Sequence, residues 1–334
     1  MNLLPGYSTV SVIMPVRNEA LHIVQSVSAV LRQDYPPERM EIIVADGLSE
    51  DNTVDLIRRL SEEKRIKIIC NPRKIQASGL NEAIRIACGD VIVRVDGHTA
   101  IAPDYVRRCI ETLAETQADN VGGSLNPVGK TITGHSIALA SRSRFAVPTI
   151  FRVSSQAQYT DTVYMGAWPR RVFEKIGLFD EHFIVNEDYE FNFRIRTAGG
   201  QIYFSPEICS AYYGQQTFLE LTKQYFRYGA SKPKTLLKHP RSLRIRHLAA
   251  PAFVAFAIGG IPLSILLPQV KIGWAFGMLL YLVANIGFSL HVGWQQKLSL
   301  QIRVPWVFIA IHAAWGSGFW FAIMQMLGYA VVGN

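Results

Sequence analysis

The sequence predicts an α/β domain built on a mostly parallel sheet, followed by interfacial helices and three transmembrane helices. Three observations carry that expectation. Short apolar, β-rich runs alternate with helical patterns over the first hundred residues. Three long stretches near the C-terminus contain no Asp, Glu, Lys or Arg. The charges are also divided unevenly along the 334 residues, with 23 basic and 26 acidic side chains up to Glu220 and then 11 basic and no acidic ones.

The run 9–15 (TVSVIMP) reads as a strand, 20–33 as a helix and 41–45 (EIIVA) as a second strand. A helix over 53–63, a strand over 66–70, a helix over 76–87 and a strand over 90–95 follow. This spacing implies βαβ units and a parallel sheet covered on both faces. Ligands of such sheets bind beyond the carboxyl ends of the strands. The polar residues at those ends are Arg17, Asn18 and Glu19, then Asp46, then Asp96 and His98.

The apolar stretches 248–268, 272–293 and 304–332 are 21, 22 and 29 residues long. About 20 helical residues cross a hydrocarbon core of ~30 Å. Half of the composition is hydrophobic (49%) and mean hydropathy is +0.15, which excludes a disordered chain. The division expected is therefore an N-terminal α/β domain over 1–216, a basic interfacial segment over 217–247 and a membrane domain over 248–334. Lys223, Arg227, Lys232, Lys234, Lys238, Arg241, Arg244 and Arg246 precede the first span, and Lys297 and Arg303 lie between the second and third. The positive-inside rule then places the N-terminal domain in the cytoplasm and the C-terminus outside, in a multi-pass protein of the inner or plasma membrane. Phe218, Leu221 and Tyr225 share one helical face, as an interfacial helix requires.

The formal net charge of +8 invites a nucleic-acid partner, but residues 1–220 carry a net −3, which argues against one. The basic stretch suits anionic headgroups instead. Cys70, Cys88, Cys109 and Cys209 form no C-x-x-C pair or Cys/His cluster, so a zinc ribbon or disulfide scaffold is not expected, and the four read as buried thiols. No signal peptide is evident at the start. No G-x-G-x-x-G follows the first strand, and 123–131 (GSLNPVGKT) misses the P-loop spacing by one residue.

Asp46, in VADGLSEDNT, can accept a hydrogen bond from a base such as uracil or cap the next helix, a role open to Ser49 or Asp51 as well. Asp96 and His98 can reach one divalent ion, Mg²⁺ or Mn²⁺ carrying a diphosphate, or serve as a turn residue and a surface imidazole. Glu187 and Asp188 open a helical pattern, where acids favour the macrodipole; a carboxylate there can also act as general base toward a sugar hydroxyl.

Taken in order, Pro15-x-Arg17-Asn18-Glu19, Asp46, Asn81 in QASGLNEAI, Asp96-x-His98 and GLFDE followed by Glu187-Asp188 resemble the family 2 inverting glycosyltransferases over residues 8–230. The three-span tail is similar to bacterial exopolysaccharide enzymes of the succinoglycan glucosyltransferase type. The resemblance implies a GT-A nucleotide-sugar-binding fold, with Pro15, Arg17, Glu19, Asp46, Asn81 and Asp96 at the nucleotide sugar and Asp96 and His98 at a metal-bound diphosphate. It implies Asp188 as base, with Glu187 supporting the acceptor site. Gln224-x-x-Arg227-Tyr228 resembles the Q-x-x-R-W motif that contacts diphosphate and acceptor, Tyr standing for Trp. His98 replaces the second acid of the usual D-x-D, and Gln76 stands where processive enzymes often carry Lys. The activity implied is transfer of a hexose from a UDP-sugar to a hydroxyl of a lipid-linked saccharide, in exopolysaccharide or envelope synthesis and in a polysaccharide-assembly complex. Two alternatives are a polyprenyl-phosphate sugar synthase and a silent nucleotide-sugar-binding scaffold.

Overall fold

The computed structural model describes residues 8–60, 66–146 and 149–332. In chain order the elements are β1 (Val10–Val16), α1 (Ile23–Leu31), β2 (Met40–Asp46), α2 (Thr53–Leu60), β3 (Ile66–Cys70), α3 (Gln76–Ile86), β4 (Val91–Arg94), β5 (Thr99–Ile101), α4 (Tyr105–Thr116) and β6 (Asn120–Val128). Then come α5 (Ile132–Ser141), α6 (Ile150–Val153), β7 (Gln158–Tyr159), β8 (Tyr164–Pro169), α7 (Arg171–Ile176), α8 (Glu187–Thr197) and β9 (Ile202–Tyr213). The chain ends with α9 (Phe218–Lys238), α10 (Ala249–Leu266), α11 (Pro268–Gly293), α12 (Leu298–Gln301) and α13 (Val304–Val332). They form two compact units, Met1–Asn126 with Ile150–Tyr213, and Pro127–Thr149 with Gly214–Asn334.

The first unit is a mixed sheet in the order β3-β2-β1-β4-β8-β6-β9-β5, with β7 on β9. The βαβ reading holds for one half: β1 pairs in parallel with both β2 and β4, and β2 with β3. All seven residues of β1 are buried, as expected where helices cover both faces of a parallel sheet. Beyond β4 the sheet is antiparallel, β4 to β8 and β8 to β6. The helix expected to reach Glu63 is described to Leu60, and residues 61–63 lie outside the described residues. Cysteine burial departs from the expectation: all four thiols are free, but Cys109 alone of the four is buried, Cys209 being partly exposed and Cys70 and Cys88 exposed.

The second unit is helical. Three of its helices are long and apolar enough to cross a membrane, in windows Ile245–Leu266, Pro268–Gly293 and Leu298–Gly328. Thr217 caps α9, its hydroxyl accepting from the Glu220 amide at 3.2 Å while Glu220 accepts from the Thr217 amide at 3.2 Å, a reciprocal capping box. The face carrying Phe218, Leu221 and Tyr225 is not free for lipid. It packs in a cluster with Ile137 and Ala140 of α5 and Val304, Val307, Phe308 and Ile311 of α13. Residues 127–149 therefore belong with the helices, although nothing in their composition announced it.

Candidate active site

Within the first unit the carboxyl ends of β1, β2 and β4 lie side by side, since Val16 pairs with Asp46 and Ile13 with Arg94. Two loops interlock above β1 and β2. Asn18 takes a positive φ of 55°, which Asn tolerates better than most residues. Its amide donates to Ser49 Oγ at 2.9 Å and its Oδ1 accepts from the Glu50 amide at 2.8 Å. The Glu19 amide donates to Thr53 Oγ1 at 2.8 Å. Arg17, half-exposed, lies 3.8 Å from Glu50, and Pro15 is buried opposite Ala45. Asp51, accepting from the Thr53 amide at 3.0 Å, caps α2. That leaves Asp46 to hold the loop: its carboxylate accepts from Ser49 Oγ at 2.6 Å and from the Ser49 amide at 3.1 Å.

Asp96 follows β4 and is 4% exposed. Arg94, equally buried, forks onto it, Nε donating to Oδ1 at 2.7 Å and Nη2 to Oδ2 at 3.2 Å. Gln76, the first residue of α3, donates to Oδ1 at 3.2 Å. Burial works to raise the Asp96 pKa, but Arg94 outweighs it through charge and hydrogen bonds and holds the carboxyl below its ordinary range. His98 Nδ1 faces Glu19 Oε1 at 2.8 Å. Burial pulls the imidazole pKa down, and the hydrogen bond and charge of Glu19 override it and raise it. Glu19, expected at the nucleotide, is thus engaged with His98. Gly97 is required between the two: a Cβ there would stand 2.9 Å from Glu19 Cγ and 3.1 Å from Val16 Cγ1.

The third component is the first turn of α8. Asn186 precedes it with a φ of 68°. Arg94 Nη1 lies 3.2 Å from Glu187 Oε1, both side chains 5% exposed, so one guanidinium joins the end of β4 to the start of α8. Burial pushes the Glu187 carboxyl up to about 7; Arg94 opposes this and the charge of Asp188 adds to it. Arg94 itself is raised: burial would lower it, but Asp96 and then Glu187 more than compensate, with Asp188 contributing. Glu190 pairs with Arg194 at 3.0 Å. Asp188, half-buried, accepts from the Tyr189 amide at 2.7 Å and forms no ion pair among the described residues. The structure therefore brings Asp96, Glu187 and Asp188 around Arg94, which the sequence reading passed over. Its one signal was a cation inside the apolar run VIVRV.

Asn81, expected at the nucleotide sugar, is bonded to a loop. Its Nδ2 donates to the Phe179 carbonyl at 2.9 Å and to Glu181 Oε1 at 2.7 Å, and its Oδ1 accepts from the Phe179 amide at 2.9 Å. The buried amide thus holds the GLFDE loop. Arg73 pairs with the same Glu181, another contact that sequence spacing did not indicate. Gln224, Arg227 and Tyr228 belong to the second unit, where Gln224 Nε2 donates to Tyr228 Oη at 3.0 Å and Arg227 is exposed.

Among the described residues no three His, Cys, Asp or Glu side chains are grouped to hold a metal. Asp96 and His98 supply at most two donors, a carboxylate oxygen already bonded to Arg94 or Gln76 and the Nε2 of an imidazole anchored through Nδ1. That set fits a Mg²⁺ or Mn²⁺ ion whose remaining positions are filled by oxygens of an anionic substrate and water.

The curled mixed sheet, with Asp96, Glu187 and Asp188 gathered around Arg94 at its strand ends, is of GT-A type, and the class of protein is a glycosyltransferase. The chain belongs to Glycosyl transferase family 2, whose sequence profile matches residues 11–177. It is 28% identical over 316 residues to the Succinoglycan biosynthesis protein ExoA of Rhizobium meliloti, covering 92% of this chain and 93% of that one. It is 29% identical over 232 residues, 67% of this chain and 72% of the other, to a dolichyl N-acetyl-alpha-D-glucosaminyl phosphate 3-beta-D-2,3-diacetamido-2,3-dideoxy-beta-D-glucuronosyltransferase of Methanococcus voltae. Among solved structures, the mannosyltransferase PcManGT of Pyrobaculum calidifontis, in complex with GDP-Man and Mn²⁺, superposes with a TM-score of 0.65 at 19% identity, covering 96% of this chain and 90% of that one. S. aureus TarS 1-349 in complex with UDP-GlcNAc gives 0.51 at 14% identity, covering 93% and 90%.

Proposed function

We propose that this protein is a membrane-anchored inverting hexosyltransferase that moves a hexose from a nucleotide sugar, a UDP-hexose, to a hydroxyl of a lipid-linked saccharide, with its catalytic unit in the cytoplasm. The observation that carries the reading is the state of the three acids in the first turn of α8. Glu187 lies against Arg94 and Glu190 pairs with Arg194, whereas Asp188 is half-buried and forms no ion pair among the described residues. A carboxyl oxygen left outside an ion pair in that position suits a general base.

In this reading Asp188 accepts the proton of the acceptor hydroxyl. The oxygen attacks the anomeric carbon from the face opposite the diphosphate, and the configuration inverts as the nucleoside diphosphate leaves. Asp46 and the interlocked loops of residues 15–19 and 46–53 receive the nucleoside. Asp96 and His98 would hold a divalent ion, and such an ion would supply charge neutralisation to the leaving group. Arg94 fixes the separation between Asp96 and α8 without touching the sugar. The names of the relatives support this choice: one belongs to succinoglycan biosynthesis and one transfers a glucuronosyl group to a dolichyl-linked sugar phosphate.

The deciding experiment offers radiolabelled UDP-, GDP- and dTDP-hexoses to membranes containing the protein and identifies the labelled lipid. A lipid-linked oligosaccharide extended by one sugar is the expected product. A polyprenyl monophosphate sugar would replace the hydroxyl acceptor by a phosphate, and binding without transfer would leave a scaffold.

A further inference from the structure

The three apolar helices of the second unit differ in one respect. In their most apolar windows α10 and α11 are 17% and 11% buried, against 44% for α13. Much of the cover on α13 is α9. Gly229 of α9 meets the Trp315 backbone, and Gly318 of α13 meets the backbone of Phe226 and Ala230, so closely that a Cβ at either glycine would collide. The Phe226 and Phe321 rings are 5.5 Å apart. Toward the other end, Leu221 and Tyr225 share a core cluster with Val304, Val307, Phe308 and Ile311. The two helices run side by side over the stretch from Val304 to Phe321.

Hydrocarbon would not accept α9. Lys223, Arg227, Lys234 and Lys238 are exposed, and at 100° per residue they form one stripe on the side opposite Leu221, Tyr225 and Gly229. The stripe is about 22 Å long. If the α9–α13 pair crossed the bilayer, these cations would be spread through the hydrocarbon at roughly 2.5–3.5 kcal/mol for each one near its centre.

A second relationship sets the depth of α13. Trp320 Nε1 donates to the Pro251 carbonyl at 2.8 Å, and Gly316 packs on the Ala250 carbonyl. Ala250 and Pro251 lie at the mouth of α10, just after Arg244 and Arg246, which belong at the headgroups. Arg303 holds the start of α13 at the same surface by the same rule. Val304 and Trp320 are about 24 Å apart along the helix, yet each is next to a segment whose arginines suit headgroup depth. A straight helix that meets one surface at two such points lies along it. Its exposed side chains agree: Trp306, Trp320, Phe321, Met324 and Leu327 fall on one face, and Trp favours the membrane interface.

We infer that α13 lies in the headgroup plane with α9 along its flank, presenting its apolar stripe to an anionic lipid surface, and that the α10–α11 hairpin is the part that enters the hydrocarbon. The end of the chain then returns to the side on which α10 begins, in contrast to the outward C-terminus expected from three crossings. This rests on membrane attachment and not on the glycosyl transfer, so failure of either leaves the other standing.

The test is sidedness. In the full-length chain with its four cysteines changed to serine, single cysteines at Glu115 (E115C) and Asn334 (N334C) are exposed to a membrane-impermeant maleimide in sealed vesicles. Both labelling in the same vesicles, or both needing permeabilisation, is the expected result; opposite behaviour overturns the inference. A second measurement keeps the native cysteines. Chains retaining only Trp306 or only Trp320 are placed in phosphatidylcholine/phosphatidylglycerol vesicles and quenched by lipids brominated at different depths. Equal, shallow depths are expected, and Trp320 at the bilayer centre overturns it.

Discussion

Arg94 Nη1 stands 3.2 Å from Glu187 Oε1, and this contact joins the strand end that carries Asp96 to the helix turn that carries Asp188. Neither partner is accessible, and the same guanidinium donates twice to Asp96. The consequences of that bridge are direct.

Replacing Arg94 by Met leaves Asp96 and Glu187 buried without their cation. Removing one partner of a buried ion pair costs about 3–5 kcal/mol, so the detergent-solubilised variant should show a large fall in its unfolding midpoint. Arg94→Lys keeps the charge and loses the planar fork, and should fall between the two. A Met variant as stable as the parent would mean that the bridge holds nothing.

The pH dependence has a definite sign. Burial lifts Glu187 from its ordinary 4.5 to about 7. Between those values the native state retains a proton that the unfolded chain has released. The contribution of this group to stability is therefore full below about pH 4.5 and declines as pH rises toward 7. Denaturant titrations across that window should show the decline in the parent and a flatter profile in Glu187→Gln. Identical slopes would remove the assignment.

Asn81→Ala strips three hydrogen bonds from the GLFDE loop and leaves the Phe179 amide and carbonyl without that partner. The expected loss is about 1–3 kcal/mol, read as a lower melting temperature with donor affinity nearly unchanged. A weakened donor KM at unaltered stability would return Asn81 to the nucleotide site.

Asp188→Asn keeps the shape of the side chain and removes its basicity. Loss of a general base lowers the rate by about 10²–10⁴-fold. Single-turnover transfer should fall by that much while calorimetric binding of the nucleotide sugar persists. Transfer near the parental rate would place the base elsewhere.

Excess EDTA should stop transfer, and added Mn²⁺ or Mg²⁺ should restore it. Asp96 and His98 offer too few donors to retain an ion once the diphosphate has gone, so the effect should be rapid and reversible. Full activity in the chelator would separate these two residues from any metal.

The parallel half of the sheet, the strand-end positions of Asp46 and Asp96, the helix opened by Glu187 and the three apolar helices were all legible in the chain, because apolar periodicity and helix-start chemistry are local properties. What folding alone decided is pairwise and long-range: that Arg94 bridges acids at positions 96 and 187, that Asn81 serves a loop about a hundred residues away, that Glu19 meets His98, and that residues 127–149 pack with the C-terminal helices. The depth proposed for α13 is of the same kind. Its composition states that it is apolar, but which apolar surface it meets depends on α9 and the mouth of α10, and no single segment encodes where another will lie.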